Sequence, residues 1–214
     1  PAKSRVRNNL GMILGERGSL KEAVVELRES CRLDPSYAQA LNNLGVVYAK
    51  QGRHEAAIEE YRKALGLRSA FGSAHHNIGQ AFSETGRAED AIRHLKEAVR
   101  YIPGVVDAYI DLGSALITMD GFAEAEECLA TAARLNPGYW KVHNNRGIAA
   151  ARQKRFDEAV RHFRKAAELS PGIVDVHFNL ANAHRDVGDV DNAIHNYRAA
   201  LEVSPGYGPA HRNL

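Results

Sequence analysis

The segment LNNLGVVYAKQGRHEAAIEEYRKAL, from Leu41 to Leu65, decides the fold because related segments recur along the chain. HHNIGQAFSETGRAEDAIRHLKEAV begins at His75 and HFNLANAHRDVGDVDNAIHNYRAAL begins at His177, and the three align in steps of 34 residues without a gap. Repetition at a fixed period of this length is the sequence signature of a solenoid built from stacked helical units.

The same period fits the whole chain, which has 214 residues. We number the positions of each repeat from 1 to 34 and call its two predicted helices A and B. The sequence predicts a single solenoid domain over 1–214, with complete repeats at 4–37, 38–71, 72–105, 106–139, 140–173 and 174–207 and a partial repeat at 208–214.

Small residues and helix breakers recur at fixed positions of the repeat. Position 20 is always alanine, and position 8 is glycine except at Ala181, so helices A and B can approach closely. Glycine at position 15 favours the left-handed turn that ends helix A. Proline at position 32, replaced only by Ser69, ends helix B because it lacks an N–H. These residues predict helix A, a turn, helix B and a second turn in each repeat.

This pattern resembles the tetratricopeptide-repeat family over essentially the whole chain. The resemblance implies an all-α fold, a right-handed α-α superhelix, whose concave groove is lined by the A helices. It also implies that the partner is a protein or a peptide.

Repeats 4 and 5 depart from the pattern. In repeat 4 the turn reads Asp120-Gly121, which moves the glycine by one place, and in repeat 5 Lys154 replaces the turn glycine. Arg146 stands at position 7, where the other complete repeats carry Leu or Ile. We expect its side chain to extend out of a slightly loosened repeat; the alternative is a charge that lines the groove.

The free face of helix A is predicted from helical geometry. Positions 4, 7, 8 and 11 share one side of the helix and pack, whereas positions 2, 5, 6, 9, 12 and 13 lie nearly opposite. Position 6 carries an amide in all but one repeat, and position 5 is often an amide as well. The predicted peptide-binding residues are Asn9, Asn43, Asn77, Asp111, Asn145 and Asn179 at position 6 and Asn8, Asn42, His76, Asn144 and Phe178 at position 5.

Two roles for this amide ladder remain open. A primary amide can pair with both the N–H and the C=O of an extended peptide, so the ladder suits binding of a peptide backbone. Alternatively, the amides brace adjacent helices. In its asparagine ladder the array resembles the repeat region of O-linked N-acetylglucosamine transferases, a resemblance that covers the repeats only and implies binding of substrate polypeptide.

Composition and motifs argue against other classes of function. The formal net charge is +2 and aromatic residues make up 7% of the chain, so neither a basic stripe nor a stacking platform for nucleic acid is expected. No apolar run is long enough to span a membrane. Two cysteines without a metal-binding spacing suit a reducing, cytoplasmic location. We expect no cofactor, no metal site and no enzymatic activity, since no catalytic motif is present.

The histidines do not change this interpretation. Four of them occupy position 4 of their repeats: His75, His143, His177 and His211. Equivalent positions lie on separate helices about 8–10 Å apart, too far for ligands of one zinc ion. We therefore expect these side chains to serve in packing.

The end of the sequence suggests further possibilities. The chain stops within the seventh helix A, from which we expect it to be a piece of a longer protein. Two alternatives to peptide binding are therefore a scaffold that forms homo-oligomers through exposed terminal repeats, and the substrate-recruiting region of a larger transferase.

Overall fold

The computed structural model describes residues 2–214, and all regular secondary structure in that range is α-helical. The prediction of an all-α fold is confirmed. The helices are α1 (Ala2–Glu16), α2 (Leu20–Leu33), α3 (Ala38–Lys50), α4 (His54–Leu67), α5 (Gly72–Glu84), α6 (Ala88–Tyr101), α7 (Val106–Thr118), α8 (Phe122–Leu135), α9 (Trp140–Arg152), α10 (Phe156–Leu169), α11 (Val174–Asp186), α12 (Val190–Val203) and α13 (Gly208–Asn213).

The helices reproduce the 34-residue period. Odd-numbered helices are the A helices and even-numbered helices are the B helices. The A helices from α3 to α13 begin at regular intervals of 34 residues, at Ala38, Gly72, Val106, Trp140, Val174 and Gly208. The sequence period therefore corresponds to one helix pair, with a partial seventh pair at α13.

The turn between helices A and B is left-handed in every complete repeat, whichever residue occupies position 15. Its φ is +84° at Gly18 and between +72° and +82° at the glycines of repeats 2, 3 and 6. Asp120 and Lys154 adopt the same conformation, with φ values of 58° and 59°. In repeat 4 the left-handed residue is therefore Asp120 at position 15, and not the glycine that follows it.

The described chain divides into two compact units, Pro1–Ala115 and Leu116–Leu214. We call them unit 1 and unit 2. In unit 1, α2 packs against α1 and α3, α4 packs against α3 and α5, and α6 packs against α5. Leu27, Ile58 and Leu95 are fully buried. The prediction that residues 1–214 form one solenoid domain remains a prediction.

Position 8 of repeats 2 and 5 shows why glycine is favoured there. A Cβ placed at Gly45 would lie 2.5 Å from a ring carbon of Tyr61, and one at Gly147 would lie 2.6 Å from the ring of Phe163. The glycine of helix A thus receives the large side chain that helix B inserts.

Unit 2 has a core of its own. Phe163 is buried with Ala150, Ala159 and Leu180 in one cluster, and Tyr197 anchors a second cluster with the start of α13. Both units therefore carry the apolar contacts that a stacked helical array requires.

Candidate functional site

The amide ladder of unit 1 consists of hydrogen bonds between successive A helices. Asn43 Nδ2 donates to Asn8 Oδ1 at 2.8 Å, which links α3 to α1. Asn77 Nδ2 donates to Asn42 Oδ1 at 3.0 Å, which links α5 to α3. Position 6 of one repeat thus bonds to position 5 of the repeat before it.

The next rung of unit 1 replaces the amides with a carboxylate and an imidazole. Asp111 Oδ2 lies 2.8 Å from His76 Nε2, and it also accepts a hydrogen bond from Gln80 Nε2 at 2.8 Å. Both Asp111 and His76 are half-buried. The register is the same as in the amide rungs, but here the rung carries an acidic group.

An amide rung is also present in unit 2. Asn179 Nδ2 donates to Asn144 Oδ1 at 3.1 Å, which joins α11 to α9, and Asn145 is buried. Phe178 takes no part in an amide rung. Its ring lies 5.4 Å from that of Tyr207, edge to face, and 5.8 Å from that of Tyr197.

These contacts show that positions 5 and 6 are only partly a free face of helix A. Asn8, Asn42 and Asn43 are buried, Asn77 is half-buried and Asn9 is exposed. The cause is that consecutive A helices lie side by side, so that each covers part of the face of the next. The bracing role describes the observed bonds, and the role of these residues in peptide binding stays a prediction.

An open groove lies beside the ladder in unit 1. It has a volume of about 530 Å³ and is bordered by α3, α4, α5 and α7. Its lining residues are Val46, Ala49, Lys50, His54, Tyr61, Asn77, Gln80, Ala81, Ser83, Glu84, Asp111 and Ser114.

Of the predicted site residues, only Asn77 and Asp111 line this groove. Most of its other A-helix residues stand at positions 9, 12 and 13, for example Gln80, Ser83 and Glu84. The helical geometry had already assigned those positions to the free face of helix A. This geometry alone would have identified the residues as groove candidates, without the amide pattern. His54 and Tyr61 come from helix B, whereas the predicted binding residues all lie on helix A.

Arg146 does not stand free as a groove charge. Its guanidinium makes two bonds to the carboxylate of Glu126, with Nη2 at 2.6 Å and Nε at 3.2 Å from the two oxygens. The arginine therefore ties α9 to α8 of the preceding repeat.

The position 4 histidines hold the turns between repeats. The Nε2 atoms of His75, His177 and His211 lie 3.0, 2.7 and 2.8 Å from the carbonyl oxygens of the position 32 residues that precede them. In repeat 3, His75 Nδ1 also lies 3.1 Å from His94 Nδ1. Burial and the neighbouring His75 lower the pKa of His94 to about 4. The His94 side chain therefore remains uncharged at neutral pH.

Within residues 2–214, no group of three or more His, Cys, Asp or Glu side chains is arranged to hold a metal ion. No helix among those residues is both long and apolar enough to cross a membrane. The cytoplasmic location stays a prediction.

Stacked helix pairs, left-handed inter-helix turns and a groove along the A helices define a helical-repeat scaffold for protein–protein interaction. Family models described as "Tetratricopeptide repeat" match residues 36–102, 110–172 and 174–207, and one described as "TPR repeat" matches residues 11–52. The chain belongs to the tetratricopeptide-repeat (TPR) family.

Two solved structures with the same fold match nearly the whole chain. PilF of Pseudomonas aeruginosa is 24% identical, with a TM-score of 0.81, and the match covers 99% of this chain and 96% of PilF. PilW, a type IV pilus biogenesis factor, is 15% identical with a TM-score of 0.89, and the match covers 98% of this chain and 97% of PilW. At these identities the likeness establishes the fold alone.

A third similar structure is YrrB, described as a TPR protein with an unusual peptide-binding site. It is 21% identical, with a TM-score of 0.65, and the match covers 87% of this chain and 96% of YrrB. A search among curated proteins found no match. The resemblance to the repeats of O-linked N-acetylglucosamine transferases stays a prediction.

Proposed function

We propose that the chain binds an extended segment of a partner protein in the groove of unit 1. The observation that carries this proposal is the groove itself, an open volume of about 530 Å³ lined by apolar and polar side chains of three successive A helices. Ligand pockets in proteins have volumes of about 300–1,000 Å³, so the groove can hold several residues of a peptide.

The polar lining suits a peptide backbone. A primary amide has two N–H donors and an oxygen with two lone pairs. Asn77 uses one N–H for its bond to Asn42, and its remaining hydrogen-bonding capacity is available to a peptide. We assign direct peptide contact to Asn77 and Asp111. In this proposal the buried amides of the ladder hold the A helices in register.

Charged groups at the rims of the groove add selectivity. Lys50 provides a positive charge on α3, whereas Glu84 and Asp111 provide negative charges on α5 and α7. A bound segment with a basic residue near Asp111 complements this arrangement. The peptide-binding site named for YrrB supports the same use of the fold.

The test starts from a phage-displayed library of random peptides selected on the intact chain. Fluorescein-labelled copies of the enriched peptides are then titrated with wild-type protein and with Ser83→Arg, which places a long side chain in the groove. We expect binding at least about tenfold weaker, a loss of about 1.4 kcal/mol. Asn77→Ala should weaken binding in the same direction.

Ser73→Arg is the matched control, because Ser73 is exposed on the same helix but does not line the groove. It should bind the selected peptides like the wild type. Equal affinity of all three variants and the wild type would contradict the proposal, provided that circular dichroism shows every variant to be folded.

A further inference from the structure

Tyr61 lines the groove of unit 1 with a hydroxyl that has no partner among the described residues. The residue is only 2% exposed, yet it borders the groove. Within residues 2–214 no hydrogen bond reaches its oxygen, and burial raises the pKa of the hydroxyl. A buried polar group that lacks a partner costs free energy, so such a hydroxyl requires an explanation.

The groove is the way by which a partner can reach this oxygen. Among the described residues, the fully enclosed side-chain polar atoms without a partner are three histidine nitrogens. The oxygen of Tyr61 is not one of them and therefore keeps a small opening. Since the open space that Tyr61 borders is the groove, a molecule bound there can accept its proton.

The equivalent tyrosine of repeat 6 has its hydroxyl bonded within the chain. Tyr61 and Tyr197 both occupy position 24 of their repeats. Tyr197 Oη donates to Asn182 Oδ1 at 2.6 Å. Asn213 Nδ2 lies 3.3 Å from the same amide oxygen and 3.2 Å from the hydroxyl, and donates to both. In unit 2, an amide oxygen from position 9 therefore satisfies the tyrosine.

Repeat 2 lacks this acceptor but keeps the donors around it. Position 9 is Val46, which cannot accept a hydrogen bond, and position 12 is Ala49 where repeat 6 has Arg185. Val46 and Ala49 both line the groove. Position 6 of the following repeat is still an amide, Asn77, which lines the groove as well. The groove is thus open at the positions where repeat 6 carries larger polar side chains.

The chemistry of the groove indicates which group replaces the missing acceptor. An ammonium or guanidinium group has no lone pair to accept the hydroxyl proton. A carboxylate has acceptors, but Glu84 and Asp111 both line the groove beside Lys50, so a further anion is repelled. A primary amide is uncharged and provides the same acceptor that Asn182 provides in repeat 6.

We propose that the bound segment inserts an Asn or Gln side chain in the place that Asn182 takes in repeat 6, and that Tyr61 Oη donates to its amide oxygen; this inference rests on the proposed binding of a peptide in the groove. Asn77 has a second N–H beyond the one that it gives to Asn42, and it donates this to the same oxygen, as the equivalent Asn213 does in unit 2. Tyr61 then determines specificity, because a segment without the amide leaves its hydroxyl buried and unpaired.

The experiment selects one phage-displayed library of random peptides on the wild type and on Tyr61→Phe. This variant keeps the ring that packs on Gly45 and removes only the hydroxyl. We expect Asn or Gln to dominate one position of the peptides enriched on the wild type, and this preference to be lost on Tyr61→Phe. In fluorescence anisotropy, Tyr61→Phe should bind the wild-type peptides at least about tenfold more weakly.

A second peptide, in which the enriched Asn or Gln is replaced by Leu, completes a thermodynamic cycle. The replacement should weaken binding to the wild type at least about tenfold and leave binding to Tyr61→Phe almost unchanged, because both changes remove the same hydrogen bond. Tyr197→Phe is the matched control, since it removes the equivalent hydroxyl from unit 2. It should bind both peptides like the wild type.

Stability without any peptide gives an independent readout. Tyr61→Phe should leave the midpoint of urea denaturation unchanged or raise it, because the lost hydroxyl has no partner in the chain. Tyr197→Phe should lower the midpoint, because Asn182 loses its donor. An equal decrease in the two variants would show that the Tyr61 hydroxyl already has a partner, which would overturn the proposal.

Two binding results would also overturn it. One is unchanged binding of the enriched peptides by Tyr61→Phe while Ser83→Arg still weakens binding, which would mean that the groove holds peptides without this contact. The other is weaker binding by Tyr61→Phe without any effect of the Leu replacement, which would make a backbone carbonyl the acceptor. Unchanged binding by Ser83→Arg as well would contradict the proposed function itself.

Discussion

At the scale of single residues, the turn at position 15 keeps its left-handed backbone conformation even in the repeats where glycine is replaced. Asp120 and Lys154 hold φ values of 58° and 59°, a region that costs a residue with a Cβ about 1–2 kcal/mol. Aspartate tolerates this region better than lysine does. Helix packing on both sides of the turn therefore imposes the conformation on Lys154.

Restoring glycine at this turn should stabilise the protein. We expect Lys154→Gly to raise the free energy of unfolding by about 0.5–1 kcal/mol, because relief of the left-handed strain outweighs the greater freedom of glycine in the unfolded chain. Urea denaturation measures the change. Lys154→Ala keeps the Cβ and is the control. An equal gain in that variant would show that removal of the lysine side chain, not of strain, is responsible.

At the scale of the helix, the amide rungs act as links between neighbouring A helices. Each rung is a single hydrogen bond. The bond from Asn43 to Asn8, for example, is buried between α3 and α1. Asn43 Oδ1 also accepts from Gln39 at 3.0 Å. An amide in this position therefore satisfies groups on its own helix and on the neighbouring one.

Asn43, which is buried, and Asn9, which is exposed, should respond differently to substitution. Asn43→Ala should lower the free energy of unfolding by about 1–3 kcal/mol, because Asn8 Oδ1 loses its donor in a buried place. Asn9→Ala, at the same repeat position but exposed, should lower it by less, about 0.5–1 kcal/mol. It removes only the acceptor that Asn8 Nδ2 finds on α1 itself at 3.2 Å, and no bond between helices is lost. Chemical denaturation compares the two. Similar small effects in both variants would show that the rungs do not brace the helices.

At the scale of the whole molecule, stability is expected to be local. Contacts in a stacked array are made mainly between neighbouring repeats, and the two compact units each have their own buried clusters. A core defect should therefore be felt mainly in the repeats that adjoin it.

Truncation of one core leucine in each unit tests this locality. Leu44→Ala should cost about 2–5 kcal/mol and accelerate amide hydrogen exchange in α2 to α5. The amides of α10 and α12 should keep their protection. Leu180→Ala, which alters a buried leucine of unit 2, should produce the reverse distribution. Equal acceleration along the chain in both variants would mean that it unfolds as one cooperative body.

The sequence by itself determined the helices, their order and the 34-residue period. These features depend on local chemistry, since the glycines, alanines and prolines that shape each helix pair act within one repeat. The sequence also identified the face of helix A that contains the groove, because helical geometry alone relates Gln80 and Ser83 to the same side of α5.

Only the tertiary structure decided which of those side chains remain accessible. Asn42 and Asn77 occupy positions that helical geometry places on the same face, yet Asn42 is buried and Asn77 lines the groove. The difference arises because each A helix is covered by its neighbour, a contact between residues 34 or 35 apart that periodicity within one helix does not describe. For the same reason Leu10 of α1 is exposed, while Leu44, its equivalent in α3, is buried in the core.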